Sequence, residues 1–243
     1  MREYKYTEPK RFPSNCWYRH KCPNAGDDFC CNEHCEKLMQ TDYLFQLSNM
    51  PQECWNHFQL STEYLSNDTE HLMLQIMDDI LYFIESGCDL YLFGETGCGK
   101  TSWAIKLMQH YFDEITPITS SNKFEGKGLF VSVSKLLTDY GLHISYPTNE
   151  FNDLLKAIQT YDVVIWDDIA QTSMTAREAR FLFSYVNERC LAKKCNIYTS
   201  NVSPEIFETI DKRLASRCCC GAECVEITGV DMRFKNKYTE RIK

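Results

Sequence analysis

From residue 67 onward, apolar positions alternate between helical and strand periods. Leu72, Leu74, Ile76, Met77, Ile80, Leu81 and Ile84 predict a helix that Asn67 or Asp68 can cap and Gly87 can end. The short apolar run Leu90-Tyr91-Leu92-Phe93 follows, then a glycine loop, then a helix through Trp103, Ile105, Leu107 and Met108. Leu129–Val133 reads as a strand, and a helical pattern around 150–160 leads to the apolar run Val163-Val164-Ile165-Trp166. Further on, a helix is expected over roughly 175–192 and a strand at 196–200. The tail predicts a helix near 204–217 and a last strand near 224–228. Strands alternating with helices imply an α/β fold, a parallel sheet covered on both faces.

Residues 41–66 carry Tyr43, Leu44, Phe45 and Leu47, then Pro51, Trp55, Phe58 and Leu60, the pattern of a short helix and a connecting loop. Residues 1–45 are different in kind. They are rich in Cys and His, hold few aliphatic residues, and cannot bury enough apolar surface to fold without a metal or a partner. The expected division is therefore a small N-terminal module over 1–45 and one α/β domain over 46–243.

Composition narrows the class. No apolar run is long enough to span a bilayer, so no membrane partner is expected. The opening Met-Arg-Glu-Tyr-Lys-Tyr lacks the apolar core of a secretory signal, and a cytoplasmic location is expected. A net charge of −8 argues against tight non-specific duplex binding, which depends on Lys and Arg. Fourteen cysteines in such a chain point first to metal ligation, since disulfides belong to oxidising compartments.

The glycine loop carries the chemistry. Gly94-Glu95-Thr96-Gly97-Cys98-Gly99-Lys100-Thr101 is a complete phosphate-loop sequence, preceded by a strand and opening a helix with Ser102. Its glycines let successive N–H groups face the phosphates of ATP, and the helix N-terminus adds the positive end of its dipole. Lys100 would reach the β- and γ-phosphates, and Thr101 would ligate Mg²⁺. Asp167 and Asp168 follow the buried run 163–166. The first is suited to the magnesium, the second to orienting or deprotonating the attacking water. Cys98 is a small filler within the loop.

Taken in order, Gly94–Thr101, Asp162–Ile169 and Tyr198-Thr199-Ser200-Asn201 resemble AAA+ ATPases of the DnaC/DnaI helicase-loader and IstB-like type, over roughly residues 45–235. The resemblance implies a parallel five-stranded AAA+ sheet between helices, with a reduced C-terminal lid. It also implies a sensor role at the γ-phosphate for Asn201, which could alternatively cap the next helix. Within Asp211–Arg217 it implies an arginine finger for a neighbouring copy, Arg217 in preference to Arg213, so that self-oligomerisation would control activity. Arg233 would contact the γ-phosphate. The family usually has Glu where this chain has Asp168, one methylene shorter, so slow hydrolysis is expected. The Cys218-Cys219-Cys220 triplet has no counterpart in the family pattern.

Five cysteines lie between Cys16 and Cys35. Cys16, Cys22, Cys31 and Cys35 are the preferred Zn²⁺ ligands, with Cys30 or His34 as substitutes, and the same thiolates could hold an iron–sulfur cluster. Some loaders grip the replicative helicase with an N-terminal zinc module. The expected function is thus loading of a replicative helicase onto single-stranded DNA, by a bacterial or phage protein. Tyr140, His143 and Tyr146 are candidate stacking platforms for that strand. Alternatives are an IstB-like transposition regulator and an adaptor that binds ATP without hydrolysing it.

Overall fold

Side chains on a strand alternate between the faces of a sheet, and that alternation sorts the core into two layers. The computed structural model describes residues 18, 21–25, 35–55, 60, 65–115, 119–120, 123–170 and 174–229. In chain order, α1 (Glu36–Leu47), α2 (Asn67–Asp78) and α3 (Ile80–Glu85) precede β1 (Leu90–Phe93) and α4 (Lys100–Glu114). A small antiparallel hairpin, β2 (Thr119–Ser120) and β3 (Lys123–Phe124), leads to β4 (Gly128–Ser132), α5 (Val133–Ser145), α6 (Asn149–Thr160) and β5 (Val163–Asp167). The chain continues through α7 (Ala176–Leu191), β6 (Cys195–Ser200), α8 (Pro204–Ile210), α9 (Lys212–Cys219) and β7 (Glu223–Glu226).

Five strands form one sheet of order β4-β5-β6-β1-β7, and every neighbouring pair is parallel. Leu90, Leu92, Val163, Ile165, Cys195 and Ile197 pack with α1–α4 on one face. Tyr91, Val164, Trp166 and Tyr198 pack with α5–α9 on the other. The expected five-stranded parallel α/β sheet is the observed one. No helix among the described residues is long and apolar enough to cross a membrane.

Boundaries differ from the expected ones for local reasons. Ser66, rather than Asn67 or Asp68, caps α2, because its backbone is extended and its hydroxyl accepts from Thr69 N at 3.2 Å. The helix expected to run to Gly87 breaks at Asp79, whose ψ of 27° leaves the helical range. The one expected over 204–217 breaks at Asp211, which caps α9 by accepting from Arg213 N and Leu214 N at 3.0 Å. Residues 133–160 form two helices, with Thr148 capping the second. Helix α1 runs across residue 45, where the sequence pattern begins the second module, and its Leu44 and Phe45 are buried in the main core. Just beyond it, Ser48 and Asn49 cover the edge of β4: Phe130 N donates to Ser48 O at 2.7 Å, and Asn49 Nδ2 donates to Phe130 O at 3.3 Å.

A polar network centred on Arg189 crosses the core. Arg189 is 1% exposed and donates to Asn196 Oδ1 and to the carbonyls of Ile158, Tyr161, Asp162 and Cys195. Asn196 in turn donates from its backbone N and its Nδ2 to Asp89 Oδ1, at 2.7 and 2.9 Å. Burial pushes the Asp89 carboxyl up to about 6, against the opposing pull of its hydrogen bonds from Asn196. A carboxyl raised on folding holds its proton longer in the native state, so it favours the fold at low pH and costs stability as pH rises from about 4 to about 6. The cost above that window is on the order of 2–3 kcal/mol. Asp89→Asn keeps the acceptor for Asn196 and should flatten stability between pH 4 and 6, measured by urea unfolding. An unchanged slope would assign the pH dependence to other groups.

Candidate nucleotide site

Parallel strands deliver their C-terminal ends to one rim of the sheet, where ligands of open α/β folds bind. The strand order puts β6 between β5 and β1, so Asn201, just past β6, lies between the glycine loop after β1 and Asp167 at the end of β5. The rim therefore collects Gly94–Ser102, Asp167, Asp168 and Asn201 on adjacent elements.

Glycine is required in the loop. Gly94 has φ 145°, and a Cβ there would lie 2.2 Å from Ile227 O, in the segment leaving β7. Gly99 has φ 101° with no atom within 4 Å of its Cβ position, so open space lies over the start of α4. Glu95 and Thr96 are exposed, Cys98 is buried, and Ser102 is half-buried in the first turn of α4. Lys100 is 5% exposed and donates to Gly94 O at 2.9 Å and Glu95 O at 2.7 Å, with Cys98 Sγ at 3.7 Å. Its ammonium thus lies within the curve of the loop itself.

Thr101 Oγ1 donates to Asp167 Oδ1 at 2.7 Å, joining the first turn of α4 to the end of β5. Thr199 Oγ1 donates to the same oxygen at 2.9 Å. Burial raises the Asp167 carboxyl above its usual range, and the two hydroxyl hydrogen bonds oppose that shift. Asp168 is half-buried with a left-handed backbone, φ 61°. Aspartate tolerates that conformation better than most side chains, because its short polar group bonds locally. No sequence motif assigns Thr199 a role. Its one signal is general: a hydroxyl near the end of a wholly buried strand needs a hydrogen-bond partner.

The arrangement suits a nucleotide and a hard cation. A hydroxyl and a carboxylate lie side by side at the head of α4, an oxygen donor pair of the kind magnesium takes, next to the N-terminal N–H groups of that helix and open space.

The remaining residues divide. Asn201 is half-buried and does not cap α8, whose N-cap is Ser203. Arg213 and Arg217 are both exposed on α9, but the Arg213 guanidinium stacks 4.3 Å over the Phe183 ring. Arg233 lies outside the described residues, as do Cys16, Cys30, Cys31 and His34. Cys22 and Cys35 are free thiols at half-buried positions. Among the described residues, no three His, Cys, Asp or Glu side chains are grouped to hold a metal. Cys218 is fully buried, and burial pushes the Cys219 thiol up to about 12. Of the aromatic platforms, Tyr140 is stacked on Phe181 with centroids 3.8 Å apart, and Arg177 lies over its ring. His143 packs against Phe151, while Tyr146 is 76% exposed.

The family model of the bacterial DnaA ATPase domain matches residues 66–225, which hold every described residue of this rim. The chain belongs to this family. Residues 66–225 are a DnaA-type AAA+ ATPase domain. A curated relative, the chromosomal replication initiator protein DnaA of Bacteroides thetaiotaomicron, is 28% identical over 132 residues, 53% of this chain and 25% of the relative. The chain thus spans about a quarter of that relative's length. Among solved structures, the DnaC helicase loader superposes with a TM-score of 0.59 at 16% identity, over 73% of this chain and all of that one. DnaI gives 0.59 at 19%, over 74% and 96%. DnaA bound to AMPPCP and single-stranded DNA gives 0.54 at 19%, over 75% and 53%. These likenesses establish the shared fold.

Proposed function

We propose that the chain is an ATP-dependent loader of a replicative DNA helicase. The observation that carries the nucleotide part is the Thr101–Asp167 pair at 2.7 Å beside the buried Lys100. Lys100 would take the β- and γ-phosphates, while Gly94–Ser102 and the first N–H groups of α4 wrap them. Thr101 and Asp167 would hold magnesium, which when bound neutralises charge on the phosphates. Asp168 would orient the attacking water, and Asn201 would contact the γ-phosphate. Arg217 would serve a neighbouring copy, since Arg213 is already engaged by Phe183. Arg233 would complete the γ-phosphate contacts.

The loader reading draws on the likeness to DnaC and DnaI, which extends over nearly the whole of those chains. Single-stranded DNA is the second partner, as in the solved DnaA complex. The N-terminal segment would bind the helicase through a zinc site formed by Cys16, Cys22, Cys31 and Cys35, with Cys30 or His34 as alternates. The free thiols of Cys22 and Cys35 are compatible with that donor set.

Light scattering of the protein mixed with a replicative helicase and ATP–Mg²⁺ tests the reading. A defined complex that is lost on metal chelation, with about one zinc per chain by elemental analysis, is the expected result. ATP turnover without any helicase complex would move the assignment to an IstB-like regulator. A complex without turnover would make the chain a non-hydrolysing adaptor.

A further inference from the structure

The turn after β5 is clamped by one residue of the neighbouring strand. Thr199 O accepts from Ile169 N at 2.9 Å, its hydroxyl oxygen accepts from Asp168 N at 3.0 Å, and the same hydroxyl donates to Asp167 Oδ1 at 2.9 Å. A single side chain and its carbonyl thus reach three consecutive residues. The middle one, Asp168, holds φ 61°, a region that L residues rarely occupy. A residue in that region at a site persists only when its surroundings over-determine it, and Thr199 holds it and both of its neighbours.

A hydroxyl has one proton and can accept as well as donate. The Thr199 proton is committed to Asp167 and its oxygen to the Asp168 amide, so the Asp167 carboxylate and the Asp168 backbone are held together. A rotation of Thr199 about χ1 would release both. β-Branching restricts that rotation, and the residue is fully buried in β6. Asn201 lies two residues further along the same strand exit, so the clamp also ties the acidic turn to the strand that carries Asn201.

We propose that Thr199 is a positioning residue of this site, whose hydroxyl sets the direction of Asp167 toward the cation and fixes the backbone turn from which Asp168 would reach the attacking water. The inference rests on the ATPase reading above and extends it to a residue that touches neither nucleotide nor metal. It predicts that nucleotide affinity without magnesium does not depend on the hydroxyl, whereas the gain in affinity from magnesium and the rate of turnover do.

Thr199→Val and Thr199→Ser separate the hydroxyl from the methyl group. ATP affinity is measured by calorimetry in EDTA and in Mg²⁺, alongside single-turnover hydrolysis. Thr199→Val should bind ATP in EDTA within about twofold of the parent and lose about 10–100-fold in both the magnesium-dependent gain and turnover, the range for residues that orient a metal ligand. Thr199→Ser should stay within about threefold of the parent on all three. Thr199→Cys, similar in volume and a weak donor, replaces the valine variant if thermal melts show that one unfolded.

Thr199→Val indistinguishable from the parent, or Thr199→Ser as impaired as Thr199→Val, would overturn the proposal. A parent that binds ATP but does not turn it over removes hydrolysis from the reading and leaves the magnesium arm to decide on Thr199. A parent that binds no ATP in either condition overturns both.

Discussion

Lys100→Ala should weaken ATP binding in the presence of magnesium by about 100-fold or more, because no other described side chain places an ammonium within the loop. A hydrogen bond to a charged group contributes about 1.5–3 kcal/mol, and removing the two that Lys100 would make to the phosphates costs at least about 3 kcal/mol. At about 1.4 kcal/mol per tenfold, that is two orders of magnitude. The clearest readout is thermal or urea unfolding with and without nucleotide. At ligand concentrations near 100 times the parent's Kd, the parent gains about 2.7 kcal/mol, and a variant bound 100-fold more weakly gains only about 0.4 kcal/mol.

The unliganded geometry adds a second expectation to the same experiment. Lys100 Nζ donates to Gly94 O and Glu95 O, so the side chain braces the loop as well as serving the ligand. Lys100→Ala should therefore lower stability without nucleotide by about 1–2 kcal/mol, because two loop carbonyls lose a charged donor. Lys100→Arg should not rescue binding. The lysine is 5% exposed in a space already closed by Cys98, and a planar guanidinium is larger and differently directed. Retention of most of the nucleotide-induced stabilisation by Lys100→Ala would show that the phosphates lie elsewhere.

How much of this was legible in the sequence follows from the range of each interaction. The glycine loop, the helix after it and the acidic strand end are local patterns, and the structure brings Gly94–Thr101, Asp167 and Asn201 to one rim. The strand faces were readable as well, because Val163-Val164-Ile165-Trp166 must alternate between two apolar layers. Capping was harder. Ser66, Thr148 and Asp211 all cap helices, yet they lie among other residues able to do so, and only backbone direction decides which one does.

Interactions between distant segments were not legible. Thr199 reaches Asp167 across 32 positions, and nothing in a strand of six buried residues says which polar side chain meets an acid on its neighbour. Phe183 occupying Arg213, and Phe181 occupying Tyr140, are likewise set by how α5, α7 and α9 pack. Those pairings bear on the proposed site: they favour Arg217 over Arg213 as the arginine proposed to serve a neighbouring copy, and they leave Tyr146 as the exposed ring of the three candidates.

Arg189 was silent in the sequence and carries a large expected stability effect. It looks like one more surface charge near the end of an amphipathic helix, yet it is 1% exposed. All five of its N–H donors are used: Nε on Asn196 Oδ1 at 2.7 Å, Nη1 on the carbonyls of Ile158 and Tyr161, Nη2 on those of Asp162 and Cys195. Those acceptors belong to the end of α6, the start of β5 and the start of β6, so one side chain joins three elements. Arg189→Ala should cost on the order of 4 kcal/mol, the range for removing one partner of a buried charged network, since four carbonyls then lose their donor. Against a total stability of about 5–15 kcal/mol, that is enough to unfold a marginal domain. Lys127 and Lys194, which pair with Asp162 nearby but remain partly exposed, should each cost less than about 1 kcal/mol when replaced by Ala. Arg189→Lys should recover less than half of the loss, because an ammonium has three donors and cannot span five acceptors. The network lies at the N-terminal ends of β5 and β6, whereas Asp167 and Asn201 lie at or beyond the C-terminal ends. Five strand residues at about 3.3 Å each put roughly 15 Å between them. Urea unfolding should therefore show a large shift for Arg189→Ala, while ATP affinity at low temperature stays at the parent's value in the fraction that remains folded. A parallel loss of affinity in that fraction would mean that the two ends of the sheet are coupled and that Arg189 supports the nucleotide rim as well as the fold.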